Sequence, residues 1–337
     1  MKISTRLLKK TIMVIFGYLL YKYFRIRYGK NVFIFLCRGK TGDAFLYFRY
    51  LKAYLIKNHI EKYILVGDGK NIKKILRLYP DLKAPCIEIS EKKALYMQNA
   101  YCFIGGEKLR TAHLLMWDQE LLYNRCVIGK LEPFHFGESF YWFLFDLNKA
   151  DCHPQKAVFP AITDKVKGYL DKIGVVEGKS VIFSPFAYCV KLLPVEFWQI
   201  LAKELTRKGY HVFVMPDESK EKNIFGLPSI FFKYEDSQSV LEYAGFFIGL
   251  RSGFCDIIAQ VECKKVFLYP PKEDELDYWN HRSDMEYSSV KTMGLGEAWE
   301  VVIPFARSIS SNEPINESLG CRISEDLESI QKILKIF

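Results

Sequence analysis

Three short groups of residues in this chain have the types and spacing to do chemistry. The first is Arg251, Ser252 and Gly253, a polar turn after an apolar run, Phe246 to Leu250; helically spaced residues then lead to a second apolar run, Val266 to Tyr269. The pattern predicts a strand, a tight turn, a helix and a strand. A helix starting at such a turn points unpaired backbone N–H groups and the positive end of its dipole outward, which suits a phosphate. Ser252 adds a hydroxyl, Gly253 permits close backbone approach, and Arg251 offers a planar fork for a diphosphate. The competing reading is a plain helix cap and a plain turn.

The second group is the loop Arg38-Gly39-Lys40-Thr41-Gly42-Asp43, between a buried strand ending at Cys37 and a helical pattern from Ala44 to Lys57. Asp43 is the first acidic residue of the chain. It stands where a first strand gives way to its helix, the place at which open α/β sheets put ligands. A general base is the functional reading of such a carboxylate and an N-cap the structural one. The third group is Lys191, just past a strand at Ser180–Ser184, with the reach for the same phosphates as Arg251 or else a place on the solvated surface. His135, beside Glu138 at the start of an aromatic helical stretch, is a further candidate for an interdomain cleft.

These groups need a scaffold, and the chain order supplies one. Strands at Asn31–Cys37, Tyr63–Val66, Pro85–Ile89 and Ala100–Ile104 alternate with helical patterns in the first half. Strands at Ser180–Ser184, Val212–Met215, Ile230–Phe232, Phe246–Leu250 and Val266–Tyr269 do so in the second. Such alternation implies parallel sheets with helices on both faces. The expected division is an N-terminal segment 1–30, a domain 31–155, a domain 156–305, and a linker with a closing helix over 306–337. Gly67 and Gly69 form a lone Gly-x-Gly, short of a full nucleotide fingerprint.

Composition sets bounds on function. The chain has 337 residues, long enough for two domains, and a net charge of +9. The first thirty residues carry +8 with no acid, so the body is close to neutral. That excludes a nucleic-acid binder, whose basic residues would line a folded face. Between the N-terminal charges, Thr11 to Tyr21 is too short to span a bilayer but suits an anionic membrane surface. A helix packed on the protein's own surface and a signal peptide are the alternatives, and no small-residue cleavage site follows for the latter. Nine cysteines without a Cys-x-x-Cys pair indicate neither a zinc site nor a disulfide framework, and read as buried thiols in a reducing cytoplasm.

The segments SPFAYCVKLLPVEFWQILAKELTRKGYHVFVMPDESKE and SVLEYAGFFIGLRSGFCDIIAQVECKKVFLYPP, in this order, resemble the C-terminal half of the heptosyltransferase-like bacterial glycosyltransferases, glycosyltransferase family 9. The Gly42-Asp43 loop after the first strand resembles that family's N-terminal half, and the likeness covers most of residues 31 to 305. It implies the GT-B fold, two Rossmann-like domains with parallel sheets facing across a cleft. It also implies a nucleoside-diphosphate sugar as donor, Asp43 as catalytic base, Lys191 at the donor phosphate and Ser252-Gly253 as the diphosphate cradle. Arg38, Lys40, Gly42 and His135 fall on the acceptor side. The family pattern has Asp before its Thr-Gly pair and His three positions after the Gly; this chain has Arg251 and Asp256, both assigned to the donor side.

The resemblance further implies an inverting transfer to a hydroxyl of a bacterial surface-glycan or lipid-linked glycan acceptor. No Asp-x-Asp motif occurs, and no metal or other cofactor is expected. The expected location is the cytoplasm, peripherally at the inner face of the cell membrane. A non-catalytic glycan- or partner-binding protein and a sugar-nucleotide epimerase, which share the fold, are the alternatives.

Overall fold

A computed structural model describes residues 5–37, 41–67, 69–113, 147, 153–187, 190, 192–216, 225–270, 289–303 and 327–337. The chain divides into two compact units, Met1–Val158 and Phe159–Phe337.

The first unit is built on β1 (Phe33–Cys37), β2 (Tyr63–Gly67), β3 (Cys86–Glu88) and β4 (Thr111–His113), in the order β3-β2-β1-β4. All neighbours pair in parallel, with Phe33 opposite Tyr63 and Ile34 opposite Thr111. Unbroken apolar runs such as FIFLC are what a sheet covered on both faces requires, and Ile34 to Cys37 are all buried. Gly67, half of the Gly-x-Gly, is explained by packing: a Cβ there would stand 1.7 Å from the Cys37 carbonyl oxygen. Only glycine lets the ends of β1 and β2 approach so closely.

Around this sheet run α1 (Thr5–Tyr28), α2 (Thr41–Lys57), α3 (Gly69–Leu76), α4 (Glu91–Ile104) and the short α5 (Gly106–Leu109). The basic and apolar N-terminal segment is thus one helix, and it is packed on the unit's own surface. Gly17, Tyr21 and Phe24, spaced i, i+4, i+7, turn one stripe against α4, and the Tyr21 hydroxyl donates to the Met97 carbonyl at 3.3 Å. Gly17 makes the contact possible, because a Cβ there would lie 2.0 Å from the Tyr96 carbonyl oxygen.

The second unit carries β5 (Ser180–Ser184), β6 (His211–Val214), β7 (Gly245–Leu250), β8 (Lys264–Tyr269) and β9 (Trp299–Val302), in the order β6-β5-β7-β8-β9, again all parallel. Its helices are α6 (Asp164–Lys172), α7 (Val195–Arg207), α8 (Ser237–Ala244) and α9 (Gly253–Ile258). Thr163 caps α6 by accepting from the Val166 N–H at 3.3 Å. Val181, Phe183, Trp198, Leu201, Ile248, Val266 and Leu268 form the core. The closing helix is present over residues 327–334 and belongs to this core through Ile330 and Ile333. Lys208 Nζ donates to the Leu334 carbonyl at 2.6 Å and the Tyr210 hydroxyl to that of Phe337 at 3.3 Å.

Several expectations are corrected. Residues 100–104 are not a strand but the end of α4, which Ser90 caps and which buries Ala94, Met97 and Ala100 at helical spacing. A short apolar run does not distinguish the two by itself. Residues 230–232 make no ladder; only a bridge between Val214 and Ser229 forms there. The strands β4 and β9 had no clear signal, being three and four residues long. Cys37 and Cys255 are buried thiols as read, but Cys102 is exposed. The expected helix over 137–147 falls outside the described residues but for Leu147.

Candidate functional site

In each sheet, chain order reverses at one place. In the first, β1 is followed by β2 and β3 on one side and by β4 on the other, so the reversal lies between β1 and β4. In the second, β5 is followed by β6 on one side and β7 on the other, so it lies between β5 and β7. Loops leaving neighbouring strands in opposite directions open a crevice at the carboxyl ends, the ligand site of open α/β sheets. The loop after β1 leads to Asp43. Those after β5 and β7, whose ends pair Ser184 with Gly249, lead to Lys191 and to Arg251-Ser252-Gly253. The three groups singled out by residue type therefore all leave the strands that flank the two reversals.

At the first reversal, α2 begins three residues earlier than its apolar spacing implies, taking Thr41, Gly42 and Asp43 into its first turn. Asp43 is the third helical residue and half-buried, so the N-cap reading does not describe it. A carboxylate there complements the positive helix end. Gly42 is buried in the same turn. Arg38, Lys40 and His135 lie outside the described residues.

At the second reversal the turn is pinned from four directions. The Arg251 N–H donates to the Leu268 carbonyl of β8 at 2.9 Å, and the Cys255 N–H to the Ser252 carbonyl at 2.9 Å. Arg251 Nη1 donates to that same Ser252 carbonyl at 2.6 Å, and Nη2 to Asp256 Oδ1 at 2.6 Å. Nη2 also lies 3.6 Å from the Met293 sulfur. Ser252 is extended, with φ −151° and ψ 170°, and its side chain makes no capping bond to α9. Its hydroxyl sits 3.8 Å from Cys255 Sγ. Capping, the competing use of this serine, is thus not how the hydroxyl is engaged. Lys191 lies outside the described residues; Leu193, two positions on in the chain, is part of the core.

Arg251 differs from expectation. The fork read as facing a diphosphate is 7% exposed and turned inward onto Asp256, itself 5% exposed. Burial alone would lower the guanidinium's pKa; Asp256, with Tyr269 and Cys255, outweighs it, and the net shift is upward. Burial likewise pushes the Cys255 thiol up to about 11. The reason is stoichiometric in charge: a desolvated guanidinium needs a carboxylate, and Asp256, one helical turn on, is the group placed to supply it. Asp256 is therefore the internal partner of Arg251, where a donor-binding role had been expected.

Sequence reasoning did not find the polar cluster behind this turn. Glu300 on β9 accepts from the Val290 N–H at 3.0 Å, from Ser289 Oγ at 2.5 Å and from the Tyr269 hydroxyl, so residues 289–295 are strapped against β8 and β9, with Met293 at the guanidinium. No local spacing marks these residues, because more than thirty positions separate some partners.

No protein-family model matches the chain, and no curated protein matches it. Solved structures do. A glycosyl transferase family 9 protein from Veillonella parvula is 10% identical with a TM-score of 0.53, over 88% of this chain and 97% of that one. The dodecameric iron-containing heptosyltransferase TibC, in complex with ADP-D-beta-D-heptose, is 12% identical with a TM-score of 0.50, over 90% and 76%. E. coli ADP-heptose lipopolysaccharide heptosyltransferase II is 14% identical with a TM-score of 0.47, over 90% and 99%. At such identities the likeness is one of fold. The chain has the GT-B class of fold, two α/β units each on a parallel sheet.

Proposed function

We propose that this protein is a glycosyltransferase that moves a hexose or heptose from a nucleoside-diphosphate sugar to a hydroxyl of a bacterial surface-glycan acceptor, with inversion. The observation that carries the reading is the Ser252-Gly253 turn at the strand-order reversal of the second sheet, rigidly pinned and with its hydroxyl not engaged in capping. The diphosphate would accept hydrogen bonds from this turn, and Lys191 would add charge. Negative charge grows on the diphosphate as the sugar–phosphate bond breaks, so donors already fixed in place stabilise the transition state. Arg251 acts from beneath: paired with Asp256, it holds the Ser252 carbonyl and hence the turn.

Asp43 takes the proton from the acceptor hydroxyl as that oxygen attacks the anomeric carbon; the nucleoside diphosphate leaves. Arg38, Lys40, Gly42 and His135 are assigned to the acceptor. The reaction as proposed uses no metal. Its place is the inner face of the cell membrane, where α1 meets anionic lipid.

Calorimetry with a panel of ADP-, GDP- and UDP-sugars tests the donor. One of them at a hundredfold excess over its dissociation constant stabilises the fold by about 2.7 kcal/mol. With that donor and lipid-linked or core-glycan acceptors, Asp43→Asn loses about 10²–10⁴-fold in transfer rate while donor affinity holds. Binding of no nucleotide sugar refutes the reading; normal turnover by Asp43→Asn refutes the base.

A further inference from the structure

Helix α1 is apolar on two opposite faces. One, through Gly17, Tyr21 and Phe24, is packed on α4. On the other side of the cylinder lie Leu8, Ile12, Ile15, Leu19, Tyr23 and Ile26, all exposed, Ile26 by 84%, with Phe16 on the margin, half-exposed and stacked on Tyr96 of α4 at 5.9 Å. At 100° per residue these seven fall within about a third of the circumference, and from Leu8 to Ile26 the stripe runs about 27 Å. An outward stripe of this length on a packed helix needs a cover.

The charges on its margins indicate which. Lys22 stands on one edge, and Lys9 and Arg27 on the other; no acidic residue occurs anywhere in α1. Tyr18 lies beyond the first edge, under the Lys22 ammonium at 5.3 Å, and Tyr23 within the stripe near the second, its hydroxyl bonded to Arg27 at 2.9 Å. Apolar side chains at the centre, tyrosines beside them and cations at both rims match the layers of an anionic bilayer surface, from acyl chains to headgroups. A second copy of the helix would bring like charges together along both rims, which disfavours a dimer. No helix among the described residues is long and apolar enough to cross a membrane, which fits an in-plane placement of α1.

We infer that α1 is an in-plane anchor, docked through its inner face on α4 and inserted through Ile12, Ile15, Leu19 and Ile26 into the headgroup boundary of an anionic lipid leaflet. This deepens the membrane association proposed above and is independent of the chemistry assigned to Asp43. The inner face of α1 is part of the unit's core, so point substitutions on the outer face test the idea and deletion does not.

The experiment uses the full chain and sedimentation with vesicles of phosphatidylglycerol and phosphatidylcholine, or of phosphatidylcholine alone. Binding to the anionic vesicles alone is expected, reduced at least about tenfold by Ile15→Asp/Leu19→Asp and about fivefold for each charge removed in Lys22→Gln and Arg27→Gln. Circular dichroism and nucleotide-sugar affinity of the variants should match the wild type, since these side chains are exposed. Absence of vesicle binding overturns the inference. So does a concentration-dependent dimer, without vesicle binding, that Ile15→Asp/Leu19→Asp dissociates. Vesicle binding that survives this double substitution but not the charge changes overturns insertion. Failure to bind any nucleotide sugar, with vesicle binding intact, would overturn the proposed activity and leave the anchor standing.

Discussion

Arg251→Met should destabilise the second unit heavily, although the residue stands in a turn that reads as a ligand site. The substitution keeps an unbranched chain of similar length but removes the 2.6 Å pair with Asp256 and the 2.6 Å bond to the Ser252 carbonyl. It takes from the Asp256 carboxylate, with a side chain 7% exposed, the guanidinium paired with it. Breaking one side of a buried pair typically costs about 3–5 kcal/mol. For a unit of this size, about 2–4 °C per kcal/mol, that is a fall of roughly 6–20 °C in Tm. Asp256→Leu should be destabilised in the same way. Arg251→Met/Asp256→Leu, with no charge left to bury, should lose far less than the two changes summed. Calorimetric unfolding of the four proteins measures this. A single variant within about 0.5 kcal/mol of wild type, or additive losses in the double variant, would refute the structural role and return Arg251 to direct contact with the donor.

Ser252→Ala should lower nucleotide-sugar affinity about tenfold or more, the weight of a hydrogen bond to a charged group, with little change in Tm because no capping bond is lost; a fall in Tm at unchanged affinity would make this serine structural. Gly17→Ala should loosen α1 from α4 at a cost of about 1–3 kcal/mol, since the added methyl meets the Tyr96 carbonyl; amide exchange across α1 reads it, and wild-type protection would contradict the packing.

What the sequence determined by itself was local. Strands such as β1, β5, β7 and β8 show as unbroken apolar runs because a parallel sheet buries both faces of each strand, and that requirement is written into consecutive residues. The turn at 251–253 was legible for a similar reason, since strand, glycine and helix follow one another directly. The second half also carried enough of a family's motif order to point to the GT-B fold.

What only the tertiary structure decided was which side chains are desolvated together. Arg251 reads the same in sequence whether it faces a diphosphate or the protein, and burial next to Asp256 settled its direction. Residues 289–295 and Glu300 joined the site by contacts between distant elements, which no local spacing encodes. The N-terminal helix shows the same division. Its charge and apolar content were plain, but two apolar faces on one helix cannot be told apart by composition. The fit of Gly17 against the Tyr96 carbonyl chose the face turned inward, and so left the other exposed.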